Sequence, residues 1–155
     1  MVGLLVAIEL GTLGLALLAQ RSEESEPKEE PERLSGVCPC VYAGLDTSEV
    51  VSVDPGIVAG GHLAPAVILD IRSARDFARG HVEGAVNVPE SRIRRVIDSG
   101  RLDGVWGPPI LVICNRGVRS VPVAALLQDE GIGEAVSMAG GMQDWISRGL
   151  PVVGS

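Results

Sequence analysis

The stretch Ile110-Leu111-Val112-Ile113-Cys114-Asn115-Arg116-Gly117-Val118-Arg119-Ser120 decides how this chain folds. Four consecutive large apolar residues, three of them β-branched, are too short a run for a helix and fit a strand buried on both faces. Ser120 to Glu130 then reads as a helix. A strand that feeds a helix through a short glycine-containing loop is the repeating unit of a parallel α/β sheet. Cys114 therefore falls at the carboxyl end of a strand, where open α/β sheets bind ligands.

Outward from this unit the same alternation continues. Val67–Asp70, Ala85–Val88 and Ala135–Met138 are brief, apolar and bounded by turn residues, so they read as further strands, with Val50–Val53 as an added edge strand. Ala74–Arg79, Ser91–Ser99 and Met142–Arg148 read as short helices, several closed by Gly80, Gly100, Gly131 or Gly149. The expected fold is α/β, a wound and mainly parallel sheet with helices on both faces.

A length of 155 residues fits one such domain with sequence to spare. With 46% hydrophobic residues and only 3% aromatics, the core must be built from Val, Leu, Ile and Ala. A net charge of -7 excludes a nucleic-acid-binding protein, which needs clustered Lys and Arg to neutralise phosphates. A small anion can still bind at a local basic site.

The spare sequence lies at the amino end. Residues 2–19 are almost wholly apolar and match the roughly 17 to 25 residues that span a bilayer as a helix. Segment 1–20 is therefore expected to be an uncleaved membrane anchor, since no basic residue precedes it as a secretory leader requires. Packing on the domain is the alternative, because Glu9 at mid-membrane depth would cost about 2.5 to 3.5 kcal/mol. Arg21, Lys28 and Arg33 follow the run, which puts the domain on the cytoplasmic side; the alternative is a soluble cytoplasmic protein. Residues 21–49 read as a charged, acidic linker and 50–155 as the folded domain.

Three cysteines, Cys38, Cys40 and Cys114, are too few for a disulfide framework. The Cys38-Pro39-Cys40 pair lacks a second pair or a nearby His to complete a metal site, so neither a metal nor another cofactor is expected. Cys114 differs in its surroundings. Gly117 permits a sharp turn, and successive backbone N–H groups at a helix amino terminus can form an anion cradle. Arg116 and Arg119 add positive charge near the sulfur, and such surroundings favour the thiolate, so Cys114 is expected to be a nucleophile at neutral pH. The bland alternative is a buried cysteine that merely ends a strand.

The sequence CNRGVRS resembles the active-site loop of rhodanese domains, which reads CxxGxR followed by Ser or Thr. Leu69–Arg72 (LDIR), Phe77–Pro89 (FARGHVEGAVNVP) and Gly140–Val152 (GGMQDWISRGLPV) resemble three other recurring segments of that family, so the likeness runs from about Val50 to the carboxyl end. It implies a rhodanese-like fold and transfer of a sulfane sulfur from thiosulfate or a similar donor, through a persulfide on Cys114, to cyanide, a small thiol or a protein acceptor. The implied substrate-binding loop is Asn115, Arg116, Gly117, Val118, Arg119 and Ser120, with Arg119 the anion ligand and Arg116 either a second ligand or solvated. Asp70 and Arg72 match a pair that supports the loops of the site. Loops of the related mercaptopyruvate enzymes lack the arginine, so Arg119 favours thiosulfate as donor.

Other residues read as structural. His81 falls in a turn segment, His62 carries no motif, and Trp145 is expected in the core, whereas Trp106 could rim the pocket. Two rivals remain for the function. A phosphatase or arsenate reductase on the same fold uses a loop one residue longer than the four residues between Cys114 and Arg119. A tethered sulfur carrier or regulatory binding module would keep the cysteine but turn over little on its own.

Overall fold

Ile110–Ile113 forms the middle strand of a sheet, and all four of its residues are fully buried. The computed structural model describes residues 42–101 and 107–154. The expected anchor at 2–19, the linker as far as residue 41, the Cys38–Cys40 pair and Trp106 lie outside the described residues. Among the described residues no helix is long and apolar enough to cross a membrane.

The strands are β1 (Ser52–Val53), β2 (Val67–Asp70), β3 (Val86–Asn87), β4 (Ile110–Ile113) and β5 (Ala135–Met138). They lie in the order β1-β5-β4-β2-β3, and every neighbouring pair is parallel. Register puts Asp70 beside Ile113 and Val112 beside Ser137, which brings the carboxyl ends of β2, β4 and β5 together. The helices are α1 (Pro55–Ala59), α2 (Ala74–Arg79), α3 (Glu90–Asp98), α4 (Ser120–Asp129) and α5 (Gly141–Ser147).

Successive side chains of a strand point to opposite faces, so β4 supplies two cores. Ile110 and Val112 pack with Ile93 and Ile97 of α3 and with Val123, Leu126 and Leu127 of α4. Leu111 and Ile113 pack instead with Met138, Met142 and Trp145, the last two from α5. Each fully buried Ile or Leu contributes roughly 1.5 to 3 kcal/mol from removal of apolar surface. Loss of any β4 side chain would therefore be felt on one face. Helices do cover both faces, as expected from the alternation.

Local chemistry explains the helix ends. Pro122 sits in the first turn of α4, where a backbone N–H would have no helical partner in any case. Gly131, with φ at 69°, follows the same helix at its carboxyl end. Sequence reading missed α1, although its signal is present: Asp54 caps it by accepting from the Gly56 amide at 2.7 Å, and Pro55 starts it. Tyr42 and Leu45, within the segment read as linker, pack against the α3–α4 core.

Candidate active site

Cys114 follows β4 directly and is 1% exposed. Its Sγ accepts a hydrogen bond from the Gly117 amide at 3.1 Å and another from the Ser120 hydroxyl at 3.4 Å. Of the loop amides, that of Gly117 is the one that reaches the sulfur, so the cradle closes through the glycine turn. Gly117 has φ at 78°, and a Cβ there would lie 2.7 Å from the Gly140 amide nitrogen. Only glycine fits both the turn and the close approach.

Ser120 is fully buried and shares a 2.8 Å hydrogen bond with Ser137, also fully buried, on the neighbouring strand β5. Ser120 uses its single proton on Sγ, so Ser137 must then donate to Ser120. Two hydroxyls and a sulfur thus form a directed chain in the core. Ser137 was not singled out from sequence, because a lone serine within AVSM gives no sign of its partner.

The floor of the loop is the start of α5. Met142 N–H donates to the Cys114 carbonyl at 2.9 Å, and Gln143 N–H donates to the Asn115 carbonyl at 3.0 Å. Gly140 and Gly141 both have positive φ, and a Cβ on Gly141 would overlap the backbone of Cys114, Asn115 and Arg116. These two glycines were legible in sequence only as part of a recurring segment; their contact with the loop is tertiary.

Around this floor, Asn115, Arg116, Val118 and Arg119 are exposed. Val118 is 70% exposed at the loop surface. Arg119 does not stand alone: its Nη1 donates to Glu90 at 2.9 Å, and the other Glu90 oxygen accepts from the Tyr42 hydroxyl at 3.3 Å. Burial, then the charge of Glu90 and its hydrogen bond, raise the Tyr42 phenol above its ordinary value, so it stays a protonated donor. Neither Glu90 nor Tyr42 was singled out from sequence, being 29 and 77 positions from Arg119.

Asp70 and Arg72 meet as a buried pair. Arg72 donates from Nε and Nη2 to the two Asp70 oxygens at 3.0 and 2.6 Å, and its Nη2 also reaches the Gly80 carbonyl at 2.8 Å. Asn87 donates to the carbonyls of both Asp70 and Arg72. The pair therefore ties the turn after β2 to the turn at Gly80, and neither side chain hydrogen-bonds to Cys114.

The remaining candidates have structural surroundings. His81 stacks on Phe77 at 3.7 Å between ring centroids, and its Nδ1 lies 2.9 Å from the Phe77 carbonyl. His62 is exposed. Trp145 is 2% exposed and donates to the Pro151 carbonyl at 2.8 Å, which leaves it in the core. Among the described residues no group of three His, Cys, Asp or Glu side chains could hold a metal ion.

Comparison with known proteins falls on this same region. Residues 58–148 match the rhodanese-like domain family. The chain is 36% identical over 80 residues to the thiosulfate sulfurtransferase GlpE of Pseudomonas putida, which covers 52% of this chain and 69% of that protein. It is 31% identical over 100 residues to thiosulfate sulfurtransferase GlpE of Pseudomonas entomophila, covering 64% and 88%. Among solved structures, a rhodanese-related protein from Thermoplasma volcanium superposes with a TM-score of 0.55 at 27% identity, covering 66% of this chain and 97% of that one. A protein of unknown function from Rhodopseudomonas palustris, described as a possible tyrosine phosphatase, shares the fold at 20% identity with a TM-score of 0.62, covering 80% and 99%. The relatives support sulfurtransferase activity as the general class.

Proposed function

The chain belongs to the rhodanese-like domain family, and from that premise we propose that it moves a sulfane sulfur through a persulfide on Cys114. The observation that carries this reading is the setting of the thiol. Cys114 ends the central strand, and its Sγ accepts from the Gly117 amide and the Ser120 hydroxyl. Hydrogen bonds from fixed donors stabilise negative charge on sulfur better than mobile water does, because they need no reorganisation during the reaction.

Two displacements account for the chemistry. The Cys114 thiolate attacks the outer sulfur of thiosulfate, the sulfur–sulfur bond of the donor breaks, and sulfite leaves with its electron pair. The enzyme then holds a Cys114 persulfide anion. Cyanide or a thiolate attacks the terminal sulfur, forms thiocyanate or a new persulfide, and returns the Cys114 thiolate. Charge balances in both steps, and neither requires an oxidant. Splitting transfer into two substitutions is the general advantage of covalent catalysis, and ping-pong kinetics follow. Arg116 and Arg119 carry the positive charge of the loop that attracts the donor anion, while Asn115, Val118 and Gly117 shape it and Ser120 holds the sulfur.

Four residues between Cys114 and Arg119 give a loop one residue shorter than that of the phosphatase-type relatives of this fold, which favours sulfur over phosphate chemistry. The test is intact mass spectrometry after incubation with thiosulfate. The wild-type chain should gain one sulfur atom and lose it on addition of cyanide, and Cys114→Ala should gain none. Equal sulfur uptake by the alanine variant overturns the assignment.

A further inference from the structure

Arg119 is 45% exposed at the edge of the loop, whereas the Glu90 side chain bonded to it is only 9% exposed. A carboxylate so nearly buried is held where it is. It lies at the first residue of α3, its backbone N–H donates to the Ile71 carbonyl at 3.0 Å, and its second oxygen accepts from Tyr42. The loop cation that would meet a donor anion thus carries a fixed counter-anion supplied by another part of the fold. Arg116, in the same loop, is a second exposed cation, while Tyr42 is neutral.

We infer that Glu90 is a specificity-determining residue, which partly neutralises Arg119 and so biases the loop against dianionic donors relative to donors with a single negative charge. The inference rests on sulfur transfer at Cys114. Its physical basis is Coulomb's law: the repulsion between Glu90 and an approaching donor scales with the donor's charge. Removing the charge should therefore help a dianion about twice as much, in logarithmic terms, as a monoanion.

Thiosulfate and methanethiosulfonate make the comparison clean, since both offer a sulfane sulfur bonded to a sulfonyl centre and they differ by one negative charge. The measurement is kcat/KM for each donor with cyanide as acceptor, read as thiocyanate formed. In a ping-pong reaction this constant reports the donor half-reaction alone. Glu90→Gln keeps the shape and removes the charge. It should raise kcat/KM for thiosulfate by about threefold to tenfold and for methanethiosulfonate by roughly the square root of that factor. The gap should narrow at about 0.5 M salt, where charges are screened over a few ångström.

The ratio of the two constants does not depend on the fraction of active protein, so it remains informative if a variant is less stable. Glu90→Ala should shift the ratio in the same direction, and Glu90→Asp, which keeps the charge, should leave it within about twofold of wild type. Equal changes for both donors, a fall in the ratio, or a shift in the aspartate variant as large as in the glutamine variant overturns the inference. Absence of thiocyanate from both donors in the wild-type chain would instead overturn the sulfur-transfer reading beneath it.

Discussion

The Met142 amide donates to the carbonyl of Cys114 at 2.9 Å, so the backbone of the proposed nucleophile is bonded to the first turn of α5. The loop is therefore not supported by its own strand and helix alone. It lies between β4 and α5, and the Gly140–Gly141 step is what allows the two backbones to come so close.

Gly141→Ala is expected to damage both stability and activity. The residue has φ at 59°, and the added methyl group would meet the Cys114 carbonyl rather than a yielding side chain. Left-handed backbone costs an L-residue roughly 1 to 2 kcal/mol, and the overlap adds about 1 to 3 kcal/mol more. Urea unfolding should show the loss, and sulfur uptake by the folded fraction should fall. Wild-type stability in this variant would contradict the placement of α5 against the loop.

Ser120 and Ser137 should behave as one unit. Removing the Ser120 hydroxyl strands the fully buried Ser137 hydroxyl as well as depriving Cys114 of a donor, which should cost about 1 to 3 kcal/mol of stability. Ser137→Ala leaves Ser120 with Sγ as a partner, so its cost should be smaller. The double alanine variant should be destabilised by less than the sum of the two singles; strict additivity in a double-mutant cycle would argue against the directed chain.

Arg72→Met should be among the most destabilising substitutions in the domain. It leaves the Asp70 carboxylate, 0% exposed, without its cation, a situation that costs about 3 to 5 kcal/mol. Replacing both partners, as Asp70→Leu with Arg72→Met, removes the stranded charge and should recover part of that loss. Chemical denaturation of the three variants checks the ordering.

Tyr42 supplies a pH dependence with a direct optical readout, because it is the only tyrosine in the chain. Burial and Glu90 raise its folded value above the unfolded one, so the protonated phenol is the form that the fold favours. The associated stability is complete below the ordinary phenol range near 10 and is lost as pH rises from there toward the folded value. Absorbance at about 295 nm should show tyrosinate forming at higher pH in the folded protein than in urea. Tyr42→Phe should flatten the fall in melting temperature above about pH 10. Coincident titration curves for folded and unfolded protein would refute the burial of this phenol against Glu90.

Much of the architecture was written in local pattern. The run Ile110–Ile113 has no polar residue, so it had to be buried on both faces, and a strand of that kind requires layers of helix on either side. The expected strands recur within a residue or two of their observed ends. The helix Pro55–Ala59 escaped notice because five residues give too short a window for periodicity, and only its Asp54–Pro55 start carried a signal.

The chemistry divides along a different line. Residues of one short loop are placed by their own covalent spacing, so Cys114, Gly117, Arg119 and Ser120 could be proposed together from sequence alone. Partners brought in by the fold could not. Ser137 comes from the adjacent strand, Gly140 and Gly141 from the turn before α5, and Glu90 and Tyr42 from α3 and the segment ahead of β1. Sequence by itself determined the candidate nucleophile and its loop, because turn geometry and charge act over a few residues. Tertiary structure alone decided what directs the Ser120 hydroxyl, what the loop rests on and what opposes the charge of Arg119, because those contacts depend on which strand ends and helix starts the parallel sheet gathers at one edge.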